Sequence, residues 1–206
     1  MLYVVPIIHS PEDLGSLSAS ADQLKRSATT HLNNASSNAA VREFWSELTD
    51  AIESWQIDYE SLTVYQDALP VCEAELAGVE QQIIDELADK GSRNHQILQW
   101  LRERGAVVLG TESANLLIEE YRQMKELLEQ PIESHDSESV KNLQVSQTKT
   151  LQSRDRFIAN RIDTTLRDSQ TGLIFLGMLH EIDELLPSDI LAVYPFGRPI
   201  RQPFRF

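Results

Sequence analysis

Four residues of this chain pair acid–base or metal-ligating chemistry with a position just past an apolar run. His9 follows Leu2-Tyr-Val-Val-Pro-Ile-Ile, Asp67 follows Leu62-Thr-Val-Tyr-Gln, Glu112 follows Ala106-Val-Val-Leu-Gly-Thr, and His180 follows Gly172-Leu-Ile-Phe-Leu-Gly-Met-Leu. If these runs are parallel strands, all four residues lie along the carboxyl edge of one sheet, where open α/β folds place their sites. Two imidazoles and two carboxylates suffice for a divalent transition metal, zinc or manganese, with a position left open for water. His9, His180 and Glu112 are the expected ligands, with Asp67 completing the site or contacting substrate. Such an ion lowers the pKa of water and polarises a carbonyl or phosphoryl oxygen. Taken singly, each residue also reads as an ordinary polar strand terminator, satisfied by a backbone amide or a helix N-terminus.

Two arginines join this set. Ile158, Ile162 and Leu166 mark the buried stripe of a helix, and Arg154 and Arg161, seven residues apart, share a face beside it. An arginine next to a core stripe must be paired or must snorkel. Asp67 and Glu112 are candidate partners. The other role is to bind an anionic group or stabilise an oxyanion. Asp155 and Asp163 read as surface residues, as do His31, His95 and His135. Glu119 and Glu120 read as a solvated helix face, with Glu119 able to turn toward the site. Cys72 is expected near a helix start, more as a small buried hydrophobe than as a thiolate. Glu73 and Glu75 suit the first turns of that helix. The chain has no Walker loop, no Gly-x-Gly-x-x-Gly and no Cys-x-x-Cys, so nucleotide-cofactor and zinc-ribbon sites have no support.

The elements that must position these groups alternate. Strands are expected at 2–8, 62–66, 106–109, 172–178 and 190–194. Helices are expected at 41–55, about 71–88, 93–104, 114–129 and 151–168, on their apolar spacing. Residues 10–40 read as a polar insertion, either a connector, a weak helix or a lid, and 131–150 as a polar connection. The alternation predicts one three-layer α/β domain over 1–206, with a mostly parallel sheet of about five strands flanked by helices. The tail 195–206 holds three prolines, three arginines and three phenylalanines. It reads as a strap on the acidic body, or as a docking peptide for a partner or for a second copy in a homo-oligomer.

With 32 acidic and 18 basic residues the formal net charge is −14, which disfavours nucleic acid and anionic membrane as partners. The one cysteine rules out an intrachain disulfide and suits a reducing compartment. The first apolar run is too short for a signal peptide, and no segment is long enough to span a bilayer. A soluble, cytoplasmic protein is expected.

Gly177-Met-Leu-His180, the N-terminal strand ending in histidine, Gly110-Thr-Glu-Ser113 and Arg154-Asp-Arg-Phe-Ile-Ala-Asn-Arg161 together resemble the TraB/PrgY, ChaN and erythromycin-esterase superfamily. More closely, Pro6-Ile-Ile-His9 and Tyr65-Gln-Asp-Ala-Leu-Pro70 look like the motifs of one prokaryotic family. Pro6 stands where the superfamily usually carries glycine. The resemblance implies an α/β fold with two histidine motifs, acids and an arginine-bearing helix around one cleft. Superfamily members include proposed metalloproteases, an esterase and haem-associated proteins, so the resemblance implies a site rather than one reaction. The expected function is metal-dependent hydrolysis of an ester or amide in a small molecule or peptide. His9, His180, Glu112, Arg154 and Arg161 would act in catalysis, and Asp67, Arg154 and Arg161 in substrate binding. The alternative is a noncatalytic small-ligand or peptide-binding, signalling module using the same cleft.

Overall fold

The computed structural model describes residues 1–8, 34–72, 78–129 and 138–199. His9, His31, His135, Glu73, Glu75, most of the 10–40 insertion and the tail beyond Pro199 lie outside the described residues.

Among the described residues, five strands form one all-parallel sheet: β1 (Leu2–Ile7), β2 (Leu62–Pro70), β3 (Val107–Glu112), β4 (Thr171–Gly177) and β5 (Ala192–Val193). Their order is β3-β2-β4-β1-β5. Helices α1 (Asn34–Glu53), α2 (Val79–Asp89) and α3 (Arg93–Glu103) join them, followed by α4 (Ala114–Glu129) and α5 (Glu138–Thr165). Strand alternation sorts the core into two halves. Val5, Ile7, Val64, Leu173 and Phe175 face Trp45, Leu48 and Ile52 of α1, Ile84 of α2 and Leu98 of α3. Leu2, Val4, Tyr65, Ile174 and Leu176 face Ile158 and Ile162 of α5. The result is the expected three-layer α/β architecture, with both sheet faces covered, as a parallel sheet requires.

Several elements depart from the sequence-based expectation. Helix α1 starts at Asn34, inside the stretch read as a polar insertion. Residues 71–72 are not helical, and α2 begins only at Val79. The Cys72 thiol is pushed up by burial and by the Glu80 carboxylate, whose Oε1 accepts from Cys72 N–H at 3.0 Å. The polar connection contains helix: α5 runs 28 residues, about 42 Å at 1.5 Å per residue, roughly twice the length of the strands. Its N-terminal half pairs with α4 through polar contacts. Gln123 Nε2 donates to Ser146 Oγ and Thr150 Oγ1 at 3.0 and 2.9 Å, a pattern that apolar periodicity does not register. The fifth strand shrinks to two residues.

Pro6 keeps its place in β1, in register with Leu176. Leu2 N–H donates to Leu191, on the β5 side of the strand, so the nitrogen of Pro6, four residues on, faces the same side. β5 pairs with Leu2 and Tyr3, so among the described residues no ladder partner faces that nitrogen and a proline is tolerated.

β2 is irregular where it matters most. Its register against β3 shifts between Gln66 and Pro70, and Ala68 takes a left-handed φ of 63°. This bulge re-aims Asp67 and brings the β2 backbone onto β3. A Cβ on Gly110 would stand 2.4 Å from the Pro70 carbonyl oxygen and 2.8 Å from that of Leu69. Gly110→Ala is expected to cost about 1–3 kcal/mol in urea unfolding, because backbone rather than a mobile side chain must yield. An unchanged midpoint would show that the bulge relaxes freely.

Candidate functional site

The strand order brings the ends of β3, β2 and β4 side by side. Glu112 ends β3, Asp67 sits in the β2 bulge, and His180 follows β4 after the turn Gly177-Met-Leu, where His180 N–H donates to the Gly177 carbonyl at 3.1 Å. Helix α5 lays Arg154 across them from above. Thr111 Oγ1 donates to the Gln66 carbonyl at 2.8 Å, and Asp67 Oδ2 accepts from Gly177 N–H at 2.8 Å. The bulge is thereby fastened to both neighbouring strands, and Asp67 Oδ1 is left facing Arg154 and His180.

Arg154 is the hub. Its Nη2 donates to Glu112 Oε1 at 2.6 Å and to Asp67 Oδ1 at 2.9 Å, and its Nη1 donates to both Glu120 oxygens at 2.7 and 2.8 Å. His180 forms a second node: Nδ1 contacts Asp155 Oδ1 at 2.6 Å, and Nε2 lies 3.4 Å from Asp67 Oδ1. Asp155 Oδ2 also accepts from Glu181 N–H at 3.2 Å. Two cations thus meet four carboxyl groups, and all but one of the six are nearly closed to solvent: side-chain exposure is 0% for Glu112, 2% for Asp67, 4% for His180 and 6% for Asp155 and Arg154, while Glu120 reaches in from the rim at 39%.

Electrostatics here follow from burial and from these bonds. Burial pushes the Glu112 carboxyl up, Arg154 opposes and Asp67 reinforces, and it titrates at about 7. Burial alone would make His180 easier to deprotonate. The bonds to Asp155 and Asp67 outweigh that and carry it up to about 10, so both ring nitrogens are protonated at neutral pH and Nδ1–H donates to Asp155. Arg154 likewise overcomes its burial and holds its proton more firmly than a free arginine, through Glu112, Asp67 and Glu120. A carboxyl group poised near neutrality beside fixed cations is the kind of group that moves protons.

Of the residues singled out from the sequence, Asp67, Glu112, Arg154 and His180 meet in one cluster. Arg161 does not join it: two turns along α5 from Arg154, half-buried, its Nε donates to the Gly110 carbonyl at 3.4 Å. His9 lies outside the described residues. Two residues read as surface are buried. Asp155 orients His180, and its place three residues before Ile158 and seven before Ile162, on the stripe itself, was the available signal. His95 is 5% exposed, with Nδ1 2.6 Å from Ser92 Oγ, the N-cap of α3. Glu120, rather than Glu119, turns to the cluster. Glu119 Oε1 accepts from Gln123.

Asp67, Glu112 and His180 each offer one atom, and these atoms all lie within 4.8 Å of one another. Two oxygens and one imidazole nitrogen, with the other ring nitrogen held by a carboxylate, match the donor set and outer support of a divalent transition-metal site once Nε2 of His180 gives up its proton to the incoming ion. No described helix is long and apolar enough to cross a membrane. The fold and cluster define an α/β protein with a buried acid–arginine–histidine site at the carboxyl edge of its sheet. No family model matches the chain, and neither does any curated protein or solved structure.

Proposed function

We propose that this cluster is the site of a metal-dependent hydrolase acting on an ester or amide carbonyl of a small molecule or peptide. One observation carries the reading: the donor atoms of Asp67, Glu112 and His180 converge within 4.8 Å, while Asp155 holds the far nitrogen of His180. When bound there, zinc or manganese would supply an acidified water and a polarised carbonyl. Asp67 would be a fixed ligand, its second oxygen anchored on Gly177 N–H. Glu112, which titrates at about 7 in the metal-free site, would release that proton on becoming a ligand, so metal uptake should strengthen as pH rises toward and through neutrality. Arg154 keeps a separate hold on Glu120, so its guanidinium stays in the site to stabilise an oxyanion. His9 would join as a further ligand, and Arg161 would meet an anionic part of the substrate.

The test is metal analysis of protein purified with zinc and with manganese, alongside turnover of ester and amide panels. About one equivalent of metal and saturable hydrolysis are expected. Asp67→Asn and His180→Gln should lose both while still folding. Asp155→Asn should weaken metal affinity by about 10–100-fold, as loss of an outer-shell carboxylate does. Metal-free, inactive wild-type protein would overturn the reading.

One feature favours a second reading, a noncatalytic module that binds a small ligand or peptide at the same cleft. Arg154 is consumed by Glu112, Asp67 and Glu120. Ligand binding without turnover, unaffected by chelators, would support that reading. The strap reading of the tail has its own support in residues 195–199: Phe196 stacks on Trp55 at 5.8 Å, and Arg198 pairs with Asp183 at 2.9 Å.

A further inference from the structure

Beside the buried cluster lies a cavity of about 190 Å³ whose far wall is His180. Val4, Pro6, Leu176, Met178 and Pro199 give it an apolar lining. An apolar cavity of about 150 Å³ accepts benzene, so this one has room for a group slightly larger than a phenyl ring. Its rim is polar and is built by Asp183, Tyr194 and, from the strap, Arg198. The Tyr194 hydroxyl donates to Asp183 Oδ1 at 2.5 Å, Arg198 Nη1 forms an ion pair with Asp183 Oδ2 at 2.9 Å, and the Arg198 guanidinium lies over the Tyr194 ring at 4.6 Å.

The two charges of that rim are not equivalent toward a ligand. Both oxygens of Asp183 are already engaged, one by the tyrosine and one by the arginine. A guanidinium has five N–H donors, only one of which is in this ion pair, and the Arg198 side chain is 62% exposed. Arg198 therefore has about four donors left, against about two acceptor sites on Asp183, whose charge is already paired by Arg198. That balance favours an anion over a cation, and a planar guanidinium suits a carboxylate in particular.

We propose that this cavity binds the compact apolar body of a small carboxylate-bearing molecule, an aryl or branched-alkyl acid, with its carboxylate on Arg198 and its body against His180. As a statement about substrate class this rests on the hydrolase reading: the substrate would be a small acyl compound with one anionic end, its reactive carbonyl turned toward the cluster. As a statement about binding it stands without turnover.

Benzoate, benzyl alcohol and benzylamine are the probes, titrated calorimetrically into the full chain. Benzoate should bind saturably. Benzyl alcohol should bind about ten-fold more weakly, the worth of one charge-assisted hydrogen bond, and benzylamine more weakly still. Arg198→Gln should erase the difference between benzoate and benzyl alcohol. Met178→Trp, at a half-exposed position where folding tolerates the change, should fill the cavity and cut benzoate binding at least ten-fold, with the circular dichroism spectrum unchanged. Absence of benzoate binding by folded protein, equal binding of all three probes, or an unaltered Met178→Trp variant would overturn the proposal. Benzoate binding without any ester or amide turnover would leave the cavity assignment standing and remove the hydrolase. Turnover that benzoate does not inhibit would do the reverse.

Discussion

Arg154→Met is expected to destabilise the protein by about 3–5 kcal/mol in urea unfolding, the cost of removing one partner from a buried ion network. Arg154 sits at 6% side-chain exposure between Glu112, Asp67 and Glu120, with bonds of 2.6–2.9 Å to all three. Methionine fills much of the volume and supplies no charge, so Asp67 and Glu112 are left facing each other out of water. Arg154→Lys should cost less, since it restores the charge but has no fork to span three carboxylates. Glu112→Gln in the Arg154→Met background should recover part of the loss, because it removes a carboxylate that no longer has a counter-ion. A deficit below about 1 kcal/mol would mean that the network is far more hydrated than its burial implies. If Asp67, Glu112 and His180 hold a divalent ion, added zinc or manganese should also restabilise Arg154→Met, since it binds only the folded chain.

The second large effect is on pH. In chelator-treated protein, stability should fall continuously from about pH 5 to pH 10, with no plateau around neutrality. Both buried groups act in the same sense. Glu112 rises from 4.5 to about 7, so the stability from its protonated form is complete below pH 4.5 and is lost as pH climbs through 7. His180 rises from 6.5 to about 10, so its contribution is complete below pH 6.5 and is lost as pH climbs through 10. In both windows the folded state holds a proton that the unfolded chain has released, so raising the pH favours unfolding. Glu112→Gln should flatten the lower limb and His180→Gln the upper. Melting temperatures measured every half unit of pH would show this, and a level profile between pH 7 and 10 would rule out the buried imidazolium.

Much of this site was legible because strands announce where they end. An apolar run followed by a lone Glu or His marks the end of β3 and of β4 for Glu112 and His180; Asp67, expected just past a strand at 62–66, instead sits inside β2, which runs on through the bulge to Pro70, and still reaches the same edge. The Ile158, Ile162 and Leu166 stripe likewise announced that Arg154 must turn inward. Asp155 was legible on the same stripe, but a charged residue next to charged neighbours reads as surface unless a buried partner is known. The partner, His180, is 25 residues away. Glu120 was hidden similarly, at the edge of the α4 stripe that holds Leu117 and Met124. The helical stretch 138–150 was hidden because its packing on α4 runs partly through Gln123, Ser146 and Thr150, and hydroxyl and amide contacts leave no apolar period to read.

By itself the sequence determined the α/β alternation, the two buried sheet faces and the set of polar residues at strand ends. These follow from local periodicity and from the need of each apolar face for cover. Only the tertiary structure decided which of those residues meet. The order β3-β2-β4 seats Asp67 between Glu112 and His180, and the bulge at Ala68 aims it at both. The two-turn rise from Arg154 to Arg161 then puts one guanidinium in the cluster and the other on the carbonyl of Gly110. Strand order and bulge geometry are settled by packing between segments far apart in the chain, as the bond from Gly177 N–H to Asp67, 110 residues away, shows, and no local pattern encodes that choice.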